Sequence, residues 1–243
     1  MTGSRDEPLA PRRAMVIAAH PDDIEFVVAG TAAKWVRAGA KVAYVLVTRG
    51  DAGTHKMGIG RQELGCLRER EQRAAARTVG VDNVVFLGYP DGMVEPNLEL
   101  RRDLVREIRR FRPDTVVCFD PTRVFVGSEY INHPDHRAVG QAALDAISPT
   151  AAMPLAFEEL AAEGLGPHRV RQILVTSTQC PDTFVDIGET LGLKIEALKQ
   201  HASQLQNGRD YVRLVREWAS EAGAKAGLEY AEAFLRIVRP DSA

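Results

Sequence analysis

Short, nearly unbroken apolar runs alternate along this chain with longer stretches of helical periodicity, and few folds accept that rhythm. The runs Ala14–Ala19 (AMVIAA), Val42–Thr48 (VAYVLVT), Val84–Leu87 (VVFL) and Thr115–Phe119 (TVVCF) read as strands, each followed by turn residues. Their lack of polar alternation suits strands covered on both faces, as in a parallel sheet. Between them, Ile24, Val28, Ala32 and Trp35 form one helical stripe, and Leu100, Leu104, Ile108 and Phe111 another. Gly39 and Gly80 stand where helices stop, and Pro113 closely follows the helix that ends near Phe111. The order βαβαβαβ predicts right-handed crossovers and an α/β fold, a Rossmann-like, mostly parallel sheet flanked by helices. Val170–Thr178 and Thr183–Ile187 predict further strands. With helices over 188–206 and 210–226 they make a smaller carboxyl-terminal α/β extension. The segment Pro149–Gly166 has no clear periodicity.

Ligands of open α/β sheets collect beyond the carboxyl ends of the strands. The first strand is followed by His20-Pro21-Asp22-Asp23, and the second by Arg49-Gly50-Asp51-Ala52-Gly53-Thr54. The third leads into Gly88-Tyr89-Pro90-Asp91-Gly92. The fourth leads into Asp120-Pro121 and then Asn132-His133-Pro134-Asp135-His136. Three of the six histidines therefore lie in HPDD and HPDH. Imidazole and carboxylate suit Zn²⁺, and a catalytic zinc takes about three protein ligands and keeps one position open. His20 and Asp23, three residues apart at a strand-to-helix turn, can face one point. Asp22 then points elsewhere, free to act as a base on bound water. His136 falls in the first turn of a helix bearing Val139, Ala143 and Ile147, which turns it inward, and Pro134 suits that helix start. His133 is left for a second role, and Asp135 can hydrogen-bond a ring nitrogen and raise its basicity. Either tetrapeptide alone also reads as a helix cap. Both on one rim of the sheet favour a metal site.

Composition narrows the alternatives. A chain of 243 residues, 45% hydrophobic and 26% charged, can bury a core without disulfides or structural metal. A net charge of −2 speaks against a broad nucleic-acid or anionic-membrane surface. Cys66, Cys118 and Cys180 form no CxxC, which favours a reducing compartment, and the cytoplasm is the expected location. Residues 1–13 are polar and charged and are expected to be a disordered tail. A single domain follows over 14–243, divided into a core at 14–147 and a variable part at 148–243. The apolar run Ala14–Ala19 is too short for a signal-peptide core. Gly58-x-Gly60 is followed by Glu63, so no GxGxxG dinucleotide fingerprint is completed.

Ala19-His20-Pro21-Asp22-Asp23 with the later His133-Pro134-Asp135-His136 resembles the PIG-L/LmbE-like zinc deacetylases. Thr48-Arg49-Gly50-Asp51-Ala52-Gly53, the Arg68-x-x-Glu71 helix followed by Val79-Gly80-Val81, Leu87-Gly88-Tyr89-Pro90-Asp91-Gly92 and Arg112-Pro113-Asp114 extend the resemblance over residues 14 to 147. His201-Ala202-Ser203-Gln204 adds to it. The resemblance implies hydrolytic removal of acetyl from an N-acetylglucosamine-type amino sugar, with one Zn²⁺ per chain held by His20, Asp23 and His136. It implies Asp22 as general base, and protonated His133, oriented by Asp135, as stabiliser of the tetrahedral intermediate. Arg68, Asp91 and Asp51 correspond to sugar-contacting positions. Read from the residues alone, Arg68 also pairs plausibly with Glu69 or Glu71, and Asp91 also fits a simple Pro-Asp-Gly turn. The expected partner is a small amino-sugar molecule, with self-association open and no nucleic acid or membrane insertion. A same-family amidase or deformylase acting on a thiol conjugate or natural product is the alternative activity, and a non-catalytic Rossmann-type binding protein the remote one. Ile24-Glu25 stands where many members have Glu directly after HPDD, which leaves the pocket floor, and so substrate size, open.

Overall fold

The computed structural model describes residues 10–54, 58–128, 130–206 and 209–240. The strands are β1 (Arg13–Ala18), β2 (Lys41–Thr48), β3 (Asn83–Tyr89), β4 (Thr115–Phe119), β5 (Phe125–Val126), β6 (Tyr130–Ile131), β7 (Gln172–Thr176), β8 (Thr183–Asp186) and β9 (Ala231–Val238). The helices are α1 (Asp23–Val27), α2 (Ala29–Arg37), α3 (Arg61–Thr78), α4 (Leu98–Phe111), α5 (Pro134–Ile147), α6 (Glu158–Ala162), α7 (Leu191–Leu198) and α8 (Tyr211–Ala224). Of the tail expected over 1–13, residues 1–9 lie outside the described residues, and the chain is already in β1 at Arg13.

Seven strands form one sheet in the order β3-β2-β1-β4-β7-β9-β8. β1 to β4 and β7 run parallel to one another, whereas β9 is antiparallel to both β7 and β8. This is the Rossmann-like, mostly parallel sheet read from the apolar runs. The carboxyl-terminal segment continues it by three strands. The order reverses at β1, with β2 and β3 to one side and β4 to the other, so a crevice opens beyond the carboxyl ends of β1 and β4. His20 and the segment leading to α5 lie at that crevice.

The stripe Ile24, Val28, Ala32 and Trp35 is fully buried, yet the chain breaks between α1 and α2, where Val28 has φ −146°. The start of α2 is claimed by Glu232 of β9, whose carboxylate accepts from the N–H of Gly30 (3.1 Å) and of Thr31 (2.7 Å). A carboxylate at a helix N-terminus satisfies donors that lack an intrahelical partner. The helix expected over 188–206 stops at Leu198, because the residues after it are drawn into a buried polar network described below. The segment after Pro149 holds a 3-10 turn and α6. It is pinned by buried Arg109, whose guanidinium donates to the carbonyls of Ala151, Met153 and Ala156.

Candidate active site

Asp22 sits at φ 92°, in the left-handed region that an aspartate enters at a cost of about 1–3 kcal/mol unless its surroundings hold it there. Two hydrogen bonds fix the turn. The N–H of His20 donates to Asp23 Oδ2 (2.7 Å), and the N–H of Asp22 donates to Gln72 Oε1 (3.0 Å) on α3. With the backbone so bent, Asp23 turns to the histidines while Asp22 lines an open cavity. Burial raises the Asp22 carboxyl to about 6, against the opposing charge of Arg68.

Asp23 is the centre of the cluster. His136 Nε2 lies 3.0 Å from its Oδ1 and His20 Nδ1 lies 3.4 Å from its Oδ2. Burial works against ionisation of Asp23, but the two histidines hold its carboxyl well below the usual range. One donor atom from each of His20, Asp23 and His136 lies within 4.8 Å of the others. Zinc bonds of about 2.0–2.2 Å let two donors stand up to roughly 4 Å apart, and the 3.0 and 3.4 Å contacts of Asp23 with the two imidazoles lie inside that limit, so the donor set fits one such ion. His136 is held by face-to-face stacking on Phe119 at the end of β4, with centroids 4.5 Å apart and planes 7° from parallel.

His20, His133 and Asp135 form a second group of the same size. The Asp135 carboxylate, however, already accepts from Gly92 N–H (2.8 Å), Val94 N–H (3.3 Å) and His20 Nε2 (3.1 Å). Its side chain does not bond His133, contrary to the expected orientation. Instead the backbone N–H of Asp135 donates to His133 Nδ1 (3.2 Å), because the side chain at the second helical position turns down into the sheet's rim. Neutral His133 thus carries its proton on Nε2. Burial and the neighbouring His20 and His136 lower its pKa from 6.5, so the protonated form expected from sequence is disfavoured.

The three expected sugar contacts lie elsewhere than along the cavity. Asp91 is 6% exposed; its Oδ1 faces His20 Nε2 (3.1 Å) and its Oδ2 accepts from Ala52 N–H (2.9 Å). Burial opposes its charge, yet His20 and the Ala52 N–H hold its pKa at about 2. Asp51 accepts from Asp91 N–H (3.2 Å) and from Arg61 Nε (2.8 Å), pinning the Pro-Asp-Gly turn. Arg68, 4% exposed, donates to the carbonyls of Gly50 (3.0 Å) and Pro21 (2.6 Å) and reaches Asp22 Oδ2 at 3.3 Å. Neither Glu69 nor Glu71 pairs with it: Glu69 pairs with Arg49, and Glu71 accepts from Ser203. Gly50 and Gly53 are small for a reason, since a Cβ on either would overlap the Arg68 guanidinium.

A cavity of about 480 Å³ opens above Asp22, walled by Phe26, Thr54, Ser203, Gln204 and Tyr211. That volume suits a sugar-sized ligand. Beneath it lie Glu25, Gln72 and His201, all 0% exposed; sequence reading named Glu25 and His201 without a role and missed Gln72. A signal was present: Arg68, Glu71 and Gln72 repeat at i, i+3, i+4 on α3, polar residues at the spacing of a buried face.

Residues 15–147 match the family PIG-L, GlcNAc-PI de-N-acetylase, and this span is more than half of the chain. The chain belongs to the PIG-L family. It is 30% identical over 226 residues to the diacetylchitobiose deacetylase of Thermococcus kodakarensis, covering 91% of this chain and 81% of that protein. It is 29% identical over 205 residues to "Probable N-acetyl-alpha-D-glucosaminyl L-malate deacetylase 2" of Bacillus anthracis, covering 79% and 81%. The N,N'-diacetylchitobiose deacetylase of Pyrococcus horikoshii, solved with an inhibitor, superposes with a TM-score of 0.87 at 30% identity over 94% of this chain and 84% of that one. The PIG-L match ends at the last residue of α5, so β7 to β9 and the cavity-lining residues Ser203, Gln204 and Tyr211 lie beyond it. Among the described residues no helix is long and apolar enough to cross a membrane.

Proposed function

We propose that this PIG-L chain is a metal-dependent N-deacetylase that hydrolyses the acetamide of an N-acetylglucosamine-type amino sugar. The observation that carries the reading is the single turn His20–Asp23, which sends Asp23 to two histidines and the raised carboxyl of Asp22 to a sugar-sized cavity. The relatives named for amino-sugar deacetylation support it.

His20 through Nδ1, Asp23 and His136 through Nε2 would hold the metal, and zinc is the ion we assign to two imidazoles and a carboxylate. Bound there, it would supply Lewis acidity and lower the pKa of water from 15.7 to about 7. His20 keeps Nε2–H for Asp91 and Asp135, which fixes its tautomer. Asp22 takes the proton of the attacking water, and its burial keeps it a competent base near neutral pH. His133 Nε2–H donates to the carbonyl oxygen as negative charge develops there. Asp22 then returns its proton to the departing amine. Arg68 keeps the Asp22 carboxylate in place from behind and the glycines of the Gly50–Gly53 loop let it approach. On this reading the enzyme works in the cytoplasm on a small-molecule substrate, without nucleic acid or membrane insertion, and self-association is compatible with it.

The test is metal removal. Chelation is expected to abolish amine release and zinc to restore it, with one equivalent retained by Asp22→Asn although that variant turns over about 10³-fold more slowly. Full activity after complete metal removal would overturn the reading.

A further inference from the structure

We infer that Gln72 is a positioning residue for Asp22, held in one orientation by a buried Glu25–His201 pair. Asp22 needs an acceptor for its N–H to stay at φ 92°, and Gln72 Oε1 supplies it at 3.0 Å. A side-chain amide can rotate by half a turn and present N–H instead. Here it cannot, because Gln72 Nε2 donates to both oxygens of Glu25 (3.0 and 3.2 Å). Glu25 in turn accepts from His201 Nε2 at 3.0 Å, and all three side chains are 0% exposed. The carboxylate of Glu25 thus dictates which face of the amide meets Asp22. Position 72 must carry both an acceptor and a donor, which explains glutamine where a second glutamate would oppose Glu25.

The same corner carries the cavity wall. Glu71, next to Gln72 on α3, accepts from Ser203 N–H (2.8 Å) and Ser203 Oγ (2.6 Å). His201 and Ser203 are thereby tied to the residues that hold the base, so the segment lining the cavity and the backbone of Asp22 share one polar anchor. The side chains of Glu25, Gln72 and His201 bond one another and the N–H of Asp22 rather than His20, Asp23 or His136, which separates their role from metal binding.

The inference rests on Asp22 being the base, and a double-mutant cycle separates the two claims. Gln72→Met is expected to lower kcat by on the order of 10²-fold, the scale of a misplaced catalytic group, with KM and metal content nearly unchanged. In the Asp22→Asn background the same change should cost less than about twofold, because Gln72 acts only through that side chain. An equal loss in both backgrounds, or loss of metal from Gln72→Met, would overturn the inference and leave the base assignment standing. Full activity of Asp22→Asn alone would remove the base assignment itself. If Gln72→Met does not fold, a charge swap decides. Gln72→Glu should be impaired, and Glu25→Gln/Gln72→Glu, which restores one amide facing one carboxylate, should recover most of kcat. A swap as impaired as the single variant would contradict the proposal.

Discussion

His20 Nε2 lies 3.1 Å from Asp135 Oδ2, at the opposite end of the ring from the nitrogen that faces Asp23. Buried Asp135 therefore fixes which nitrogen of His20 is free for a metal. Asp135→Asn is expected to weaken zinc binding by about 10–100-fold, the usual cost of losing a carboxylate behind a ligating histidine. Titration against a competing chelator measures this, and unchanged affinity would show that Asp91, which shares the same nitrogen, suffices.

The two histidines of HPDH differ in their partners. His136 meets the Asp23 carboxylate, whereas His133 Nδ1 accepts the backbone N–H of Asp135. His136→Ala should lose the metal and His133→Ala should keep it while losing turnover by about 10²-fold, as when one oxyanion donor is removed. Metal analysis of the two purified variants separates these outcomes, and equal metal content in both would contradict the division.

Gly53 leaves room for the Arg68 guanidinium, which is buried and bonded on two sides. Gly53→Ala is expected to destabilise the fold by about 1–3 kcal/mol, the range for overpacking a filled interior. It should also lower kcat, since Arg68 must move away from Asp22. Denaturant midpoints and steady-state kinetics on the same preparation check both.

Burial works against a charged His201, but the neighbouring Glu25 outweighs it and raises the pKa above 6.5. A folded-state value above the unfolded one gives stability that is fully present below about pH 6.5 and lost as pH rises through the folded value. Metal-loaded wild type should therefore lose more stability on going from pH 6 to pH 9 than His201→Gln does. Parallel pH dependence of the two denaturation midpoints would show that the pair contributes no such linkage.

Much of this was written in the sequence because local patterns carried it. β1 to β4 show as apolar runs, and His20, Asp22, Asp23 and His136 stand in two short motifs at strand ends. What stayed hidden depends on partners far along the chain. Glu232 and Arg236 interrupt β9 and mask it as a strand. In the fold they are satisfied by Gly30, Thr31 and Lys194, and by Gln172. The helix expected over 188–206 ends early, at Leu198, because Glu25, 176 residues away from His201, claims that ring. Asp91 and Arg68 were legible as site residues but not in their placement, since only the folded loops bring Asp91 to His20 and Ala52 and Arg68 to Pro21, Gly50 and Asp22.

The central claim is tested most directly by primary-amine release from N,N'-diacetylchitobiose, N-acetylglucosaminyl malate and N-acetylglucosaminyl inositol, with zinc present and Asp22→Asn as control. Release from at least one of them by the wild-type protein, reduced by 10³-fold or so in the variant (on the order of what a missing catalytic base costs), is the predicted result. Zinc-loaded, folded protein that releases no amine from any of the three, or a variant as active as the wild type, would contradict it.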